Sequence, residues 1–432
     1  MTGRTVRAGL ALALALVLVG SSASAASVRN RYFPLDAETL AVGADGRVDR
    51  VSDAAQLVPG SRVLAGTPTT ARELAAERAW LAAGTVPSVP ELGDSTVVRD
   101  ALLDLRTLGL PDGVPVAGWP PAWHYVWPRD SALAAVALAR TGHLADAEAV
   151  LDFLQRVQPA SGVFEARYLP DGSGVPDDRG PQLDGVGWAL WALVGVTAEQ
   201  PASQRAAFVA RYRSLLDRSS AAALTSVATP DGLPRPSSDY WELPERQLTL
   251  ATVALVRAGL QAAGTLYAEA GGATDQARAE QVRAAAVRLG ERITAAFAAD
   301  GYPRHRGGPA SSTDLGAAFL LPPYAATADP GVLAAWRRAG DTMLRPAGGL
   351  APGGSWPRDG VSWTTATSSY ALTAAAVGDR RTAVAWLRWL DEHRTAAGSV
   401  PEKVLGDGRP ASAAPLAWSA AVVVLTASTL SR

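Results

Sequence analysis

A repeating helical pattern fills the chain from about Asp94 to its C-terminus. Segments rich in alanine and leucine alternate with loops rich in glycine, proline and aspartate, and apolar residues recur within the segments at three- and four-residue spacing. This spacing matches the α-helical period, whereas the alternation typical of strands is nearly absent. The pattern predicts an all-α body. The predicted helices are Val97–Leu108, Asp130–Arg140, Leu144–Val157, Leu183–Val194, Ala202–Leu216, Arg246–Glu269, Asp275–Ala298, Asp314–Leu321, Pro330–Met343, Thr365–Val377, Arg381–Arg394 and Ser412–Leu430.

The number of helices suits a closed double ring, in which the inner helices bury apolar faces on both sides. The ends of the inner helices then converge on one rim, so that loops distant in sequence can place their side chains in a shared pocket. An open helical array is the structural alternative, and the composition is compatible with both arrangements.

The first 25 residues have the organisation of a secretory signal peptide. Arg4 and Arg7 form a positive start, and the apolar run Leu10–Val19 is shorter than the roughly 20 residues that span a bilayer. A small-residue cleavage signal follows at residues 23–25. We therefore expect residues 1–25 to be removed and the protein to be secreted; retention of the segment is the alternative.

Residues 26–93 differ in character from the rest of the chain. Residues 31–35 and 46–51 suggest short extended segments, and Thr70–Ala83 is predicted to form one helix. The region is too short to enclose a sizeable core of its own. We predict a short appendage that packs on a helical body of residues 94–432.

The composition excludes several classes of function. A formal net charge of −1, without a basic stripe interleaved with aromatics, argues against nucleic acid as a partner. Because the chain has no cysteine, disulfides and thiol chemistry are not expected. The four histidines lack ligand spacing, which argues against a histidine metal site and a Ser-His-Asp hydrolase. We expect a monomer with no metal, no cofactor and, once residues 1–25 are removed, no membrane contact.

The segment from Trp119 to Asp130 concentrates three tryptophans, a tyrosine, an arginine and an aspartate before a predicted helix. Indole faces stack on the apolar face of a sugar ring, while arginine and aspartate can hydrogen-bond its hydroxyl groups. The candidates for such contacts are Trp123, Trp127, Arg129 and Asp130. A purely structural interpretation makes Asp130 a helix N-cap and the tryptophans core residues, but it does not account for the whole cluster.

Two glutamates stand in loop-like segments that lie far apart in sequence: Glu242 follows Trp241, and Glu402 precedes Lys403. Cleavage of a glycosidic bond requires one protonated carboxylic acid for the leaving oxygen and one ionised carboxylate for water. Shielding by the indole predicts a raised pKa for Glu242, as a general acid needs, and Lys403 favours an ionised Glu402. The alternatives are a first-turn glutamate stabilised by a helix dipole, for which Glu245 is the better candidate, and a solvated loop glutamate at position 402.

Further segments supply weaker candidates. Gln182 is a candidate pocket-lining amide, and Asp184 opens the next predicted helix, which it can equally cap. Trp188 in that helix is interpreted as a core residue. Arg358 lies in an aromatic, charged loop that either closes a pocket over a second sugar or forms a surface turn.

With these residues in place, the chain resembles glycoside hydrolase family 15, the glucoamylase family, over roughly residues 100–421. Four segments in the family's order carry the resemblance: 125–130 (Tyr-Val-Trp-Pro-Arg-Asp), 182–185 (Gln-Leu-Asp-Gly), 239–242 (Asp-Tyr-Trp-Glu), and Glu402 followed by 415–419 (Pro-Leu-Ala-Trp-Ser). The resemblance implies an (α/α)6 barrel. It also implies hydrolysis of α-glucosidic linkages from a non-reducing end, with inversion of the anomeric centre.

The resemblance further implies roles for single residues. Glu242 corresponds to the general acid and Glu402 to the general base. Arg358 would substitute for an arginine that the family has where Ser355 stands here. The residues expected to contact substrate are Trp123, Trp127, Arg129, Asp130, Gln182, Asp184, Trp241, Arg358 and Trp418.

The partner implied by the resemblance is an α-linked glucose oligosaccharide or polysaccharide. Two alternatives stay open at the level of the sequence. One is an enzyme on the same scaffold that cleaves trehalose or α-1,6-linked glucans, and the other is a secreted glycan-binding protein that has lost activity.

Overall fold

The computed structural model describes residues 37–432, in which helical elements alternate between an outer and an inner layer along the chain. The outer elements are α2 (Val97–Gly109), α4 (Leu144–Val157), α6 (Arg205–Arg211) with α7 (Arg213–Ser226), α9 (Ala273–Phe297), α10 (Pro330–Met343) and α12 (Arg380–Glu392). The inner elements are α3 (Pro128–Arg140), α5 (Asp184–Glu199), α8 (Leu250–Ala270), a 3-10 helix (Leu315–Leu320), α11 (Thr364–Ala376) and α13 (Ala417–Leu430). Helix α1 (Thr70–Ala82) precedes both layers.

The inner layer closes on itself. Helix α3 packs on α5, α5 on α8, α8 on the 3-10 helix, the 3-10 helix on α11, α11 on α13, and α13 again on α3. Each inner element also packs on an outer neighbour, as α13 does on α2 and α8 on α9. The expected (α/α)6 barrel is therefore confirmed, with a 3-10 helix as one of its six inner elements.

Burial explains which helices lie inside. Every residue of α13 from Ala417 to Ser428 is buried, because this helix packs against neighbours on all sides. In the outer helix α12, the buried residues are confined to the stripe from Ala383 to Leu390, as expected of a helix with one face in solvent. Helices α5 and α8 approach so closely that a Cβ atom at Gly187 would lie 2.2 Å from the carbonyl oxygen of Leu255.

The N-terminal part of the described chain is a hairpin and a helix that pack on the outer layer. Strands β1 (Thr39–Val42) and β2 (Val48–Val51) pair antiparallel, and α1 follows, so the predicted helix Thr70–Ala83 is confirmed. The buried Arg62 binds Asp104 of α2 and donates from Nη1 to the carbonyl oxygen of Ala397 at 3.3 Å. Residues 37–432 accordingly form one compact unit. The predicted signal peptide and the extended segment 31–35 lie outside the described residues.

Short strands hold the loops that lead into the inner helices. Strand β3 (Phe164–Glu165) pairs with β4 (Pro181–Gln182), and β6 (Lys403–Val404) pairs with both β5 (Ser362–Trp363) and β7 (Pro410–Ala411). These pairings shift one predicted boundary: the last helix begins at Ala417 and not at Ser412, because β7 and a positive φ of 70° at Ser412 precede it. In residues 37–432 the structure contains no helix that is long and apolar enough to span a membrane.

Candidate active site

Most of the predicted site residues lie where the chain enters the inner layer. They are Arg129 and Asp130 in the first turn of α3, Gln182 and Asp184 at the start of α5, Glu242 in the loop before α8, and Glu402 and Trp418 before and at the start of α13. The N-terminal ends of these helices therefore meet at one rim of the barrel. A helix N-terminus favours negative charge, which suits a rim that collects four carboxylates.

Arg129 connects three of these chain segments. Its side chain is buried, with 5% of the residue exposed, and Nη2 donates to Glu242 Oε1 at 2.8 Å while Nη1 donates to Gln182 Oε1 at 3.3 Å. The carboxylate of Asp130 lies 3.9 Å from Nε and that of Asp184 lies 3.8 Å from Nη1. Burial opposes the charge of Arg129, but attraction by these carboxylates outweighs it and raises the pKa of the guanidinium.

Glu242 sits at the end of a tight turn. Its backbone N–H donates to the carbonyl oxygen of Asp239 at 2.8 Å, and its φ of 56° lies in the left-handed region, which costs a non-glycine residue about 1 kcal/mol or more. Oε1 accepts from Arg129 and, at 3.2 Å, from Gln182 Nε2, whereas Oε2 accepts from Arg179 Nη1 at 2.8 Å. The turn thus aims one carboxyl group at two guanidinium groups.

These partners reverse the predicted pKa shift of Glu242. Burial favours the neutral carboxylic acid, as the sequence suggested, but the charges and hydrogen bonds of Arg129 and Arg179 outweigh it and lower the pKa. The prediction of a raised pKa from shielding beside Trp241 was wrong for the free protein, because no pattern in the sequence indicates that two arginines contact this group.

Two carboxyl groups at the site, those of Asp130 and Asp184, have raised pKa values. Burial raises the pKa of Asp130 to about 6, against the effect of Arg129, and the charges of Glu242 and Glu402 raise it further. Burial also raises the pKa of Asp184 to about 7. Neither carboxylate caps its helix, so the interpretation of these residues as N-caps was wrong.

Glu402 occupies a buried position in the segment that precedes α13. Only 8% of the residue is exposed, so the alternative of a solvated loop glutamate was wrong. Oε1 accepts from Trp123 Nε1 at 3.3 Å, Oε2 accepts from the hydroxyl of Ser412, and Lys403 Nζ lies 3.4 Å from Oε2. Burial lowers the pKa of Lys403, whose ammonium also lies 4.3 Å above the ring of Trp363.

The remaining sequence candidates take different positions. The rings of Trp241 and Trp356 meet edge to face at 4.8 Å, in a wall that Trp363 continues. Trp418 is buried beneath Arg129, 5.4 Å from its guanidinium, and uses its indole N–H to bind Ser369, so it supports the site from below. Arg358 is exposed, and Trp127 is buried with no hydrogen-bond partner for its Nε1 in the described structure.

Sequence reasoning missed the cluster that fixes the Glu242 turn. Arg304, with 1% of the residue exposed, binds Asp314 Oδ2 at 2.6 Å, Asp239 Oδ1 at 2.8 Å and the carboxylate of Glu245, and its guanidinium lies 3.9 Å from the ring of Trp241. Glu245 is therefore part of this cluster, and its interpretation as a first-turn helix residue was wrong. The sequence around Arg304 contains no motif that would have identified it.

Loss of Arg304 should destabilise the whole protein. An Arg304→Met substitution leaves three carboxylates without their common cation, and removing one partner of a buried ion pair costs about 3–5 kcal/mol. We expect a decrease of that size in the free energy of unfolding, measured by denaturant titration. Arg409→Gln is the matched control, since Arg409 pairs with Asp407 at an exposed position, and it should change stability by less than about 0.5 kcal/mol. Equal stability of the two variants would contradict this account of the cluster.

The described residues 37–432 contain no group of three or more His, Asp or Glu side chains arranged to hold a metal ion. The groups gathered at the rim are carboxylates, guanidinium groups, the ammonium of Lys403, the amide of Gln182, the hydroxyl of Ser412 and indoles.

Comparison with known proteins identifies the fold. No protein-family model matches the chain, and no curated protein matches its sequence. A solved structure of a wild-type glycosidase superposes with a TM-score of 0.66 at 24% identity, covering 79% of this chain and 98% of that one. A bacterial glucoamylase complexed with acarbose gives 0.65 at 17% identity, covering 84% of this chain and 59% of that one.

A third likeness is more distant. The glucoamylase from Saccharomycopsis fibuligera gives a TM-score of 0.57 at 13% identity, covering 84% of this chain and 94% of that one. At these identities the likenesses establish a shared architecture. The resemblance to the glucoamylase family noted in the sequence is confirmed at the level of the fold.

Proposed function

We propose that the protein is a secreted, inverting, exo-acting α-glucoside hydrolase that releases glucose from the non-reducing ends of α-glucans or oligosaccharides. The observation that carries the proposal is the placement of Glu242 and Glu402 at one rim of the barrel, where each carboxylate is held by its own donors and each contributes to the raised pKa of Asp130. The fold likeness to a glycosidase variant in complex with glucose and to a bacterial glucoamylase complexed with acarbose supports it.

In the proposed reaction, Glu242 is the general acid and Glu402 the general base. Glu242 gives its proton to the glycosidic oxygen as the bond to the anomeric carbon breaks. Glu402 takes a proton from a water molecule that attacks the same carbon from the opposite face, so an α-linkage yields β-glucose. This geometry requires about 6.5–9.5 Å between the two carboxyl groups, which leaves room for the water.

The other rim residues have roles in binding. In this proposal Arg129 and Asp130 hydrogen-bond the hydroxyl groups of the terminal glucose, since a guanidinium donates and a carboxylate accepts. Trp123 and Ser412 fix both oxygens of Glu402 and so orient the base toward water. The indole wall of Trp241 and Trp356 offers apolar surface for a second sugar ring.

One experiment tests substrate and mechanism together. A proton NMR time course with maltose, isomaltose and trehalose as separate substrates should show β-glucose as the first product from the preferred substrate. Release of the non-reducing-end glucose of maltose or isomaltose as the α-anomer would exclude inversion, whereas trehalose yields one molecule of each anomer under inversion because its leaving glucose keeps the α configuration. Preference for trehalose or isomaltose would select the alternative enzymes on this scaffold, and sugar binding without any release over long incubation would favour an inactive glycan-binding protein.

Secretion and a monomeric state belong to the proposal as well. Secretion rests on the pattern of residues 1–25. The mass of the protein recovered from culture medium would show cleavage, and light scattering would give the oligomeric state.

A further inference from the structure

Arg179 contacts the outer oxygen of Glu242 from a loop that covers the rim. The loop connects β3 and β4, and Arg179 Nη1 donates to Glu242 Oε2 at 2.8 Å. The side chain of Arg179 is 38% exposed, whereas that of Arg129, on the inner oxygen Oε1, is 7% exposed. The two guanidinium groups therefore hold the same carboxylate from opposite sides, one from the helix layer and one from solvent.

The loop offers Arg179 a second partner. Asp177 Oδ2 accepts from Arg179 Nε at 3.2 Å and also binds Arg167, which is buried beneath the rings of Tyr125 and Trp127 at 4.3 Å and 5.0 Å. Asp177 is thus fixed to the body of the protein through Arg167. If the contact between Arg179 and Glu242 breaks, Arg179 therefore keeps Asp177 as a carboxylate partner.

The contact with Arg179 is incompatible with acid catalysis by Glu242. Oε1 accepts from Arg129 and Gln182, so Oε2 is the oxygen on which the transferable proton must reside. A guanidinium has only donors and does not deprotonate in proteins, so its N–H would face the O–H of the acid. Arg179 must leave Oε2 before Glu242 can present a proton to a glycosidic oxygen.

We propose that Arg179 is a displaceable positioning residue: it holds the Glu242 carboxylate in the free protein and moves toward Asp177 when the sugar on the leaving-group side binds. The inference rests on the proposed function and adds a coupling between substrate entry and protonation of the acid. The charged groups that face Glu242 are Arg129 and Asp130 from α3, Asp184 from α5, and Arg179 from the loop. Of these, Arg179 is the most exposed, and unlike the other three it lies on a loop rather than at a helix N-terminus.

The pH dependence of Arg179→Gln distinguishes this role from a structural one. Glu242 must be protonated to act, so activity falls as pH rises through its pKa. Loss of a contacting positive charge raises a carboxyl pKa by about 1–3 units. The alkaline limb of kcat/KM, which reports the free enzyme, should move up by about 1 unit or more, while the limb of kcat moves less because Arg179 has already left in the complex. Arg179→Lys should restore much of the wild-type profile.

A measurement independent of turnover separates this inference from the proposed function. Titration of 13C-labelled glutamate side chains, with the Glu242 signal assigned by its loss in Glu242→Gln, should give a higher midpoint in Arg179→Gln than in the wild type. Saturation with an S-linked maltose analogue should raise the wild-type midpoint toward that of the variant. Arg409→Gln, which removes an exposed arginine paired with Asp407 and not with Glu242, should match the wild type in both assays.

The outcomes are distinct. Identical Glu242 midpoints in the wild type and Arg179→Gln, or a wild-type midpoint that the analogue does not move, would overturn the inference. If the wild type releases no sugar, the proposed function fails, and the 13C titration still decides whether Arg179 yields to a bound sugar. A uniform loss of activity in Arg179→Gln, with an unshifted alkaline limb, would assign Arg179 a purely structural role.

Discussion

Glu242→Gln should lower kcat on maltose by about 10²–10⁴-fold, because an amide cannot give a proton to the leaving oxygen. The size of the loss should depend on the leaving group. Fluoride departs without protonation, so α-glucosyl fluoride should retain a much larger fraction of the wild-type rate than maltose does. The measurement is kcat on both substrates, with circular dichroism to show that the variant is folded.

Glu280→Gln is the matched control for this prediction, since Glu280 is exposed on α9. It makes the same chemical change on the outer layer and should leave both rates unaltered. An equal loss on maltose and on α-glucosyl fluoride in Glu242→Gln would mean that Glu242 does not act as the acid. The ion pair with Arg129 would then be its main contribution.

Glu402→Ala should lose activity on both substrates by about 10²–10⁴-fold, because water without a base attacks slowly whatever the leaving group. The substitution also opens a space beside Trp123 and Ser412, where a small anion can approach the anomeric carbon. Azide should therefore restore turnover of α-glucosyl fluoride and yield β-glucosyl azide, identified by NMR.

The anomeric configuration of the glucosyl azide shows which face of the anomeric carbon the azide attacks. An α-azide would indicate attack on the face assigned here to the leaving group, and the roles of the two glutamates would need to be exchanged. Unchanged activity of Glu402→Ala without azide would remove Glu402 from the mechanism. Azide should have no comparable effect on Glu242→Gln, in which the base is intact.

The helices could be predicted from the sequence because burial repeats with their period. The pattern at Leu133, Val136 and Ala137 marks a helix that is buried along its length, and α10 begins and ends at the predicted residues Pro330 and Met343. Boundaries failed where pairing between loops decided them, as before α13. Periodicity also could not indicate that Leu315–Leu320 winds as a 3-10 helix, since so short a stretch is compatible with either helix type.

The site was predictable in its residue types and less so in its electrostatics. Glu242 belongs to a segment with recognisable chemistry, whereas Arg179, which binds Glu242, and Arg304, which binds Asp239 in the same turn, come from loops that carry no motif of their own. A pKa depends on every charge within a few ångströms, and those neighbours are brought together only by the tertiary fold. The direction of the pKa shift of Glu242 therefore could not be predicted from the segment around it alone.

In this barrel, the closed inner layer holds the structure together, whereas the loops at the rim determine which substrate is bound. Each of the six inner elements packs against two inner neighbours, which fixes the spacing between them. The loops at the rim can therefore change in length or composition while the positions of the inner elements are preserved. A new substrate preference then requires changes only in the rim loops, such as residues 169–180 between β3 and β4, and leaves the inner elements unchanged. Insertions in the rim loops should accordingly be tolerated far better than insertions within any inner element.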